Sequence, residues 1–243
     1  MSTQPPLPKT TTILLSTFLL FLLLPHPLPA QTQNISALNA DNFHTFWQIE
    51  SESPDYQLSF RHDTAEIRAP KGLTLWRKQK MSGNTTIEYD ACVVVENDSD
   101  RLSDLNCFWM ASDPLFPDSI LARANWRNGI FVRAYSLQLY YLGFGGNYNT
   151  TTRFRRYDGN QNSVDNADLR PAILKEYTDP AHLLAPNKWY HIKIENQNQT
   201  VRFYINGNLL IDYTDPQPLT AGWFGFRTTL SRTRITNFSF SAN

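Results

Sequence analysis

Three arginines lie close together at the end of a glycine- and asparagine-rich stretch, residues 140–157 (YYLGFGGNYNTTTRFRRY). Arg153, Arg155 and Arg156 follow a turn that contains Asn147. Guanidinium and amide groups gathered at one hairpin are suited to bind a carboxylate or a hydroxyl-rich ligand. The alternative is a charged edge strand whose side chains discourage pairing with other molecules.

β-Elimination on a uronate-containing polysaccharide is the reaction that best matches these residue types. A lyase must neutralise the uronate carboxylate and then move protons, for which Arg, Asn and Tyr are suitable. On a strand, Arg153 and Arg155 share one face while Phe154 points to the core. A neighbouring guanidinium would lower the pKa of a tyrosine by favouring the phenolate. We therefore expect a catalytic set of Tyr141, Arg153, Arg155 and Asn147.

Carbohydrate binding without catalysis requires fewer specialised groups. Aromatic faces stack on sugar rings, and planar polar side chains bind hydroxyl groups. Large aromatic residues of a sheet more often belong to its core, which is the competing interpretation for each of them. The candidate substrate contacts are Trp109, Asn106, Tyr140, Arg156, Trp223 and Arg227.

A glycoside hydrolase is the third functional class that we consider. Glu88 and Asp90 are two residues apart and would share a strand face, as paired carboxylates do in jelly-roll hydrolases. No third carboxylate follows on that face, where Cys92 comes next. Two carboxylates on a solvent-facing surface are therefore the favoured interpretation of the pattern.

No cofactor or metal site is expected from the motifs. The glycines of residues 143–146 open onto a strand rather than a helix, so they predict a turn or bulge and not a phosphate-binding loop. Asp63, Glu66 and Asp90 are too scattered to define a calcium site, although a structural Ca²⁺ stays open.

The two cysteines, Cys92 and Cys107, lie on neighbouring apolar runs separated by the polar residues 96–104. If the runs pair as a hairpin in an oxidising compartment, the two residues can form a disulfide. Two small buried thiols are the competing interpretation.

The first thirty residues predict a signal peptide and hence a secreted protein. An apolar run, residues 13–24, follows Lys9 and precedes three prolines and the small residue Ala30. The run is shorter than the roughly 20 residues that span a bilayer. We expect residues 1–30 to be removed and residues 31–42 to form a linker.

Charge is balanced, because 22 Lys and Arg residues face 22 Asp and Glu residues. This balance argues against nucleic acid or a membrane surface as a partner of the mature chain, which we expect to be a monomer. Motifs for N-linked glycosylation begin at Asn34, Asn84, Asn97, Asn149, Asn198 and Asn237.

Alternating apolar and polar residues between turns predict an all-β chain without a sustained helical period. Thirteen short strands in one domain imply two stacked antiparallel sheets, a β-sandwich. The predicted strands are residues 46–50, 56–61, 65–68, 73–80, 86–95, 105–111, 136–143, 150–157, 190–196, 201–205, 209–213, 222–228 and 234–240.

Residues 189–213 contain the clearest hairpin, with alternating strands that lead into an Asn206–Gly207 turn. This pattern resembles the back sheet of concanavalin A-like and laminin G-like jelly rolls. Residues 100–114 (DRLSDLNCFWMASDP), 140–157 and 222–228 (GWFGFRT) look like an uncharacterised family of secreted jelly-roll domains found among proteins of polysaccharide utilisation. The resemblance implies a single jelly-roll domain over residues 43–241 and a polysaccharide or oligosaccharide partner.

Two long segments lack strand character, residues 114–133 and residues 158–186. Structureless segments of this length in a compact domain commonly shape a binding cleft. We expect both to form cleft walls, with a turn of helix near residues 120–124 in the first.

Overall fold

The computed structural model describes residues 1–4, 31–33 and 38–242. The predicted signal peptide lies outside the described residues apart from its first four. Within the segment predicted as a linker, Gln31–Gln33 pairs with residues 240–242 as a short strand. None of the helices in the described ranges is long and apolar enough to cross a membrane.

Fourteen strands occur in the described part of the chain, and each pairs antiparallel with its neighbours. Apolar and polar side chains alternate along these segments. Because successive side chains of a strand point to opposite faces, this alternation allows one face to be buried. The strands are β1 (Gln31–Gln33), β2 (Trp47–Ser51), β3 (Gln57–Arg61), β4 (Thr64–Arg77), β5 (Met81–Ser82), β6 (Thr85–Val93), β7 (Asn106–Ser112), β8 (Gln138–Gly145), β9 (Thr151–Asp158), β10 (Ile173–Tyr177), β11 (Tyr190–Gln197), β12 (Thr200–Ile205), β13 (Asn208–Thr214) and β14 (Ala221–Ala242).

Helices are short in the described ranges. The α-helical turns are α1 (Phe43–Phe46) and α2 (Ala124–Arg127). The 3-10 helices are Ile120–Arg123, Phe131–Ser136, Gln161–Ser163, Ala167–Leu169 and Pro180–His182.

The strands form two layers that share β4 and β14. In the front sheet, β10, β9, β8 and β7 pair in turn, and β7 pairs with residues 223–227 of β14. In the back sheet, β13, β12, β11 and β6 pair in turn, and β6 pairs with residues 233–242 of β14. β2 extends the front sheet and β3 the back sheet, both through β4.

A bulge at the centre of β14 lets this strand pass from one layer to the other. The register with β4 shifts between Thr229 and Ser231. Leu230 lies between them with a φ of 50°, in the left-handed region that a bulge requires. We predicted one strand before this position and a second strand after it. We likewise predicted two strands in place of β4, because the sequence of a bend resembles that of a loop between two strands.

The main core lies between the two sheets. The Trp109 ring of the front sheet lies 6.0 Å from the Phe203 ring of the back sheet. Tyr89 of the back sheet lies 5.8 Å from Phe224 of the front sheet. The predicted antiparallel β-sandwich of the concanavalin A-like jelly-roll type is therefore confirmed.

A second apolar cluster covers the outer face of the front sheet. Residues 114–137 are here called the cover. Ile120 and Leu137 of the cover pack with Trp76, Phe108 and other side chains of that face. All four of these residues are buried. The expected helical turn near residues 120–124 is present at the start of the cover. The segment of residues 158–186 was predicted to lack strands, but it contains β10 at the front-sheet edge.

Candidate functional site

A cleft of about 210 Å³ opens between the cover and the turn that joins β8 to β9. Its floor is the outer face of the front sheet. This front cleft is lined by Tyr141, Gly143, Arg153 and Arg155 of the sheet, Gly146, Asn147 and Thr151 of the turn, Phe131 and Tyr135 of the cover, and Asp104. The structure thus brings together all four residues of the predicted catalytic set.

Strand register explains why the two arginines lie beside Tyr141. Tyr141 pairs with Arg155, and Gly143 pairs with Arg153. Because side chains alternate along a strand, these positions share the outer face. Phe154 is buried in the main core, as predicted.

Gly143 leaves room for the phenol of Tyr141. A Cβ atom at Gly143 would lie 2.4 Å from the Tyr141 hydroxyl oxygen, closer than any real contact. The hydroxyl therefore lies over Gly143, and Gly143 pairs with Arg153 on the neighbouring strand. It forms no hydrogen bond with a described residue.

The protonation state of Tyr141 differs from the prediction. Burial raises the pKa of its hydroxyl well above the usual value, and the Asp104 carboxylate adds to the increase. Arg227 and Arg155 lower the pKa by less. The expected net decrease was wrong, because the removal of water outweighs the neighbouring guanidinium groups. Tyr141 is therefore a neutral phenol that can donate a proton.

The two arginines of the front cleft are only partly engaged by protein groups. Arg153 Nε lies 2.5 Å from Glu176 Oε1 in an ion pair that is about one-third exposed on both sides. The Arg155 guanidinium donates to the carbonyl of Pro171. An arginine carries five N–H donors, so both side chains retain donors for a ligand.

Asp104 was not predicted as a site residue. Its backbone has a φ of 62°, a left-handed conformation that is costly for a residue with a Cβ atom. The carboxylate lies 2.8 Å from Arg101 Nη1 and accepts hydrogen bonds from Ser103 and Asn106. No local signal could have identified it, because Asp104 precedes β7 and strand alternation does not extend to a residue with a left-handed backbone.

The turn between β8 and β9 is left-handed over consecutive residues. Asn147, Tyr148 and Asn149 all have φ between 52° and 58°. The Asn149 amide is held at Leu184, where Nδ2 donates to the carbonyl at 2.9 Å and Oδ1 accepts from the amide nitrogen at 2.8 Å. Asn147 is exposed at the rim and donates to Thr150 Oγ1. The asparagines of this motif therefore shape the turn, and Asn147 alone lines the cleft.

Three predicted substrate contacts point away from the front cleft. Trp109 is fully buried between the sheets and stacks with Phe154, so it does not line the front cleft. The Tyr140 hydroxyl and Arg156 Nε both lie 2.6 Å from Asp215 Oδ2. Even-numbered positions of β8 and β9 face the side of the sheet opposite to the front cleft. Tyr140 and Arg156 therefore hold the segment after β13 and do not line the cleft.

The other predicted contacts lie on the correct face but beneath or beside the cover. Trp223 is buried and donates to the Lys78 carbonyl at 3.2 Å. Arg227 is buried, donates to the carbonyl of Gly129 and lies 5.3 Å below the Phe131 ring. Asn106 is buried, and its Oδ1 atom lacks a partner among the described residues.

A buried ion network fastens the cover to the sandwich, and no local sequence motif predicts it. Arg127 Nη2 lies 2.5 Å from Glu50 Oε1, and Nη1 lies 3.3 Å from Asp113 Oδ2. Arg123 also binds Asp113, at 2.7 Å. Burial raises the pKa of Glu50, and Arg127 opposes this increase. These charges position the wall of the front cleft.

The carboxylates considered for hydrolysis lie on the opposite side of the molecule. Glu88 and Asp90 share the outer face of the back sheet, as their spacing predicted. Asp90 Oδ1 lies 2.8 Å from His191 Nδ1, and its Oδ2 accepts from Asn237 at 2.6 Å. Among the described residues, no group of three or more His, Cys, Asp or Glu side chains could hold a metal ion.

Cys92 and Cys107 are both free and buried. Of the two interpretations, the disulfide is wrong because the expected hairpin does not form. β14 lies between β6 and β7, so Cys92 pairs with Arg234 whereas Cys107 pairs with Phe226. Cys107 belongs to the main core, and Cys92 follows Asp90 on the outer face.

Solved structures resemble this fold at low sequence identity. A Bacillus subtilis protein of unknown function with a galectin-like fold aligns with a TM-score of 0.67 and 15% identity, covering 87% of this chain and 95% of its own. The carbohydrate binding module CBM66 from Bacillus subtilis gives 0.53 and 15%, covering 81% and 95%. A Bacillus licheniformis β-glucanase gives 0.52 and 11%, covering 90% and 100%. These similarities support the fold.

A search of curated proteins found no match. A family model, in contrast, matches most of the sandwich, from the first part of β4 to the second part of β14. It spans residues 67–238. The chain belongs to the family described as a domain of unknown function, DUF6250.

Proposed function

We propose that the front cleft binds an acidic saccharide. The observation that carries this proposal is the Tyr141 hydroxyl, which has no protein partner and lies at the floor of the cleft between two arginine positions. Because the hydroxyl faces the open cleft, a ligand can reach it and form a hydrogen bond with it. Arginine beside it favours a ligand that carries a carboxylate.

The charge of the front cleft supports an anionic ligand. Arg153 and Arg155 line one side, whereas the carboxylate of Asp104 is already paired with Arg101. The ion pair between Arg153 and Glu176 is partly exposed to water, so it contributes little to stability and can be exchanged. A uronate carboxylate can therefore bind the free N–H groups of the arginines as a bidentate ligand.

The walls of the front cleft suit a sugar ring. Phe131 and Tyr135 form an edge-to-face pair with ring centroids 5.4 Å apart, and Phe131 also contacts Tyr141 at 5.7 Å. Aromatic walls with a few convergent polar groups are typical of small-ligand sites. The solved structures with this fold include one named as a carbohydrate binding module and one named as a β-glucanase, which favours a saccharide over other anions.

β-Elimination is the second candidate function, and the neutral state of Tyr141 favours it. In this reaction the C5–H bond of the uronate and the C4–O bond break, and a C4–C5 double bond forms. Tyr141 can protonate the leaving oxygen, since burial keeps its phenol protonated. Asp104 is the carboxylate in the same cleft that can accept the C5 proton, while Arg153 and Arg155 neutralise the substrate carboxylate. Glu88 and Asp90 have no part in this proposal.

Native gels that contain a polysaccharide test the binding proposal. We expect alginate, polygalacturonate or hyaluronate to retard the protein and laminarin, a neutral glucan, to retard it much less. Arg155→Ala is expected to remove the difference between acidic and neutral polymers. Equal retardation by laminarin, or no retardation by any acidic polymer, would contradict the proposal.

Ultraviolet absorbance of the same mixtures distinguishes the two candidates. A lyase leaves an unsaturated uronate that absorbs in the ultraviolet, whereas a binding domain leaves the spectrum unchanged. Tyr141→Phe removes the proton donor but keeps both arginines, so it should abolish an absorbance increase while the acidic polymer still retards the protein, although less than it retards the wild type. Both functions accord with the predicted signal peptide, and we propose that the protein acts outside the cell.

A further inference from the structure

A larger cleft of about 460 Å³ lies on the outer face of the back sheet. This back cleft is lined by Ser59, Arg61, His62, Glu66, Trp189, Arg234 and two further residues of β3 and β4. It is on the opposite side of the molecule from the front cleft, and nothing in the proposed function uses it.

Trp189 differs from the other tryptophans of the described chain. Trp47, Trp76, Trp109 and Trp223 are buried. Trp126 is exposed, but Arg123 and Arg133 lie over its ring at 4.4 and 5.5 Å.

Trp189 is 43% exposed. Within the described residues it has no aromatic contact, no cation–π contact and no hydrogen bond. Because this exposed indole lines the back cleft, it offers an aromatic face on which a sugar ring can stack.

Strand register places Trp189 beside a row of fixed polar groups. Glu66 pairs with Arg234 across β4 and β14, and Arg234 pairs with Cys92 of β6. Tyr190 pairs with Ala91, so Trp189 lies next to Cys92 at the end of the same row.

The polar groups of this row are held in place by ion pairs. The Glu66 carboxylate accepts from Arg232 Nε and from Arg234 Nε, both at 2.6 Å. The terminal nitrogens of Arg234, together with Arg61 and His62, supply donors at the rim of the back cleft.

We propose that the back cleft is a second saccharide-binding site, in which a pyranose ring of a polysaccharide stacks on Trp189. The apolar face of a sugar ring matches an exposed indole, and the planar polar side chains around it bind hydroxyl groups. Because the cleft is open and has hydrogen-bond donors and acceptors around it, it can bind a sugar unit within a polysaccharide chain. A site on each sheet allows one domain to contact two stretches of polymer, which raises the overall affinity without any new contact in the front cleft.

Affinity gels with alginate, polygalacturonate, laminarin and galactomannan test this site. We expect at least one polymer to retard the wild-type protein, and Trp189→Ala to weaken binding of that polymer about fivefold or more. Trp189→Phe keeps an aromatic face and should lose less. Leu209→Ala is the matched control, since it removes an exposed apolar side chain elsewhere on the back sheet and should bind as wild type.

Arg153→Ala separates this site from the front cleft. If the front cleft does not bind saccharide, Arg153→Ala will bind as wild type while Trp189→Ala is still weakened. Binding by Trp189→Ala equal to that of the wild type would overturn the second site, whatever Arg153→Ala does. The absence of retardation by all four polymers, or equal weakening by Leu209→Ala, would also overturn it.

Discussion

The outer faces of the two sheets have the same backbone pattern but opposite environments. On the front sheet, outward positions such as Phe108 and Tyr157 are aromatic and lie under the cover. On the back sheet, outward positions such as Glu66, Lys193 and Arg234 are charged, and they form ion pairs at the surface, Glu66 with Arg234 and Lys193 with Glu195. The difference shows that a β-sandwich can bury one outer face and so create a walled cleft, while the other face stays open.

Charge–charge interactions differ between the two faces in the same way. On the front side, Glu50 and Asp113 are buried with Arg127, and burial raises the pKa of Glu50 despite that arginine. On the back side, burial would raise the pKa of Glu66, but hydrogen bonds from Arg232 and Arg234 outweigh it and the pKa is lowered. We therefore expect the loss of one partner to reduce the free energy of unfolding more in the front network than in the back network.

The largest expected effect is the loss of stability in Arg127→Met. This change leaves Glu50 buried without its ion-pair partner, whereas Asp113 keeps Arg123, and it costs about 3–5 kcal/mol of the free energy of unfolding. Arg202→Met is the control, because Arg202 pairs with Asp212 at the surface of the back sheet and should cost at most about 1 kcal/mol. Chemical denaturation measures both. Equal losses would contradict the contrast between the two faces.

The next effect is on ligand affinity in Gly143→Ala. The added methyl would meet the Tyr141 hydroxyl at 2.4 Å and displace the phenol, so we expect at least about a tenfold loss of acidic saccharide binding. Gly146→Ala adds the same methyl to the same cleft, where its nearest neighbour lies at 3.7 Å. Titration calorimetry should show normal affinity for Gly146→Ala. If both variants bind alike, the position of Tyr141 does not matter.

A smaller effect concerns the pH dependence of stability. The pKa of Glu66 is lower in the folded state than its ordinary value of 4.5, so its contribution is present above 4.5 and lost as pH falls through the folded pKa. Glu50 has the opposite sign: its contribution is present below 4.5 and lost as pH rises through its raised pKa.

Glu66→Gln tests this sign. The variant should be less stable than the wild type by up to about 1 kcal/mol near neutral pH, and the difference should shrink on acidification. Denaturant unfolding at a series of acidic pH values gives the result. A difference that grows on acidification would show that the pKa of Glu66 is not lowered.

The smallest effect is expected from reducing agents. Cys92 and Cys107 are free thiols, so a reductant should leave the melting temperature unchanged. Thiol titration should find no reactive cysteine in the native protein, because both are buried, and two after denaturation. A linked peptide pair in a non-reducing digest would contradict this.

Much of the fold could be predicted because strand alternation and turn chemistry are local. The Asn206–Gly207 turn joins β12 to β13 as expected. The bend of β14 was not predicted, since a bulge at Leu230 looks like a loop between two strands. Nor was β10, whose residues are mostly exposed and therefore lack the alternation of a half-buried strand.

The candidate site could be predicted only as far as one hairpin extends. Tyr141, Arg153 and Arg155 were identified because register places alternate residues of neighbouring strands together. Asp104 and Tyr135 come from distant segments, and only the tertiary fold brings them to the cleft. One signal for the buried face was present: β8 is apolar on both faces, which is typical of a strand covered on both sides.

Equilibrium binding by Arg153→Ala tests the central claim, that the front cleft is the ligand site. Its matched control is Arg202→Ala, because both arginines form exposed cross-strand ion pairs near a sheet edge, Arg153 with Glu176 and Arg202 with Asp212. Neither change should alter stability by more than about 0.5 kcal/mol.

For an acidic oligosaccharide too short to reach both clefts, we predict that Arg153→Ala weakens binding by at least about tenfold. Arg202→Ala should bind as wild type, and Arg153→Lys should recover only part of the loss, since an ammonium lacks the bidentate fork. Unchanged affinity in Arg153→Ala, or an equal loss in Arg202→Ala, would contradict the assignment of the front cleft.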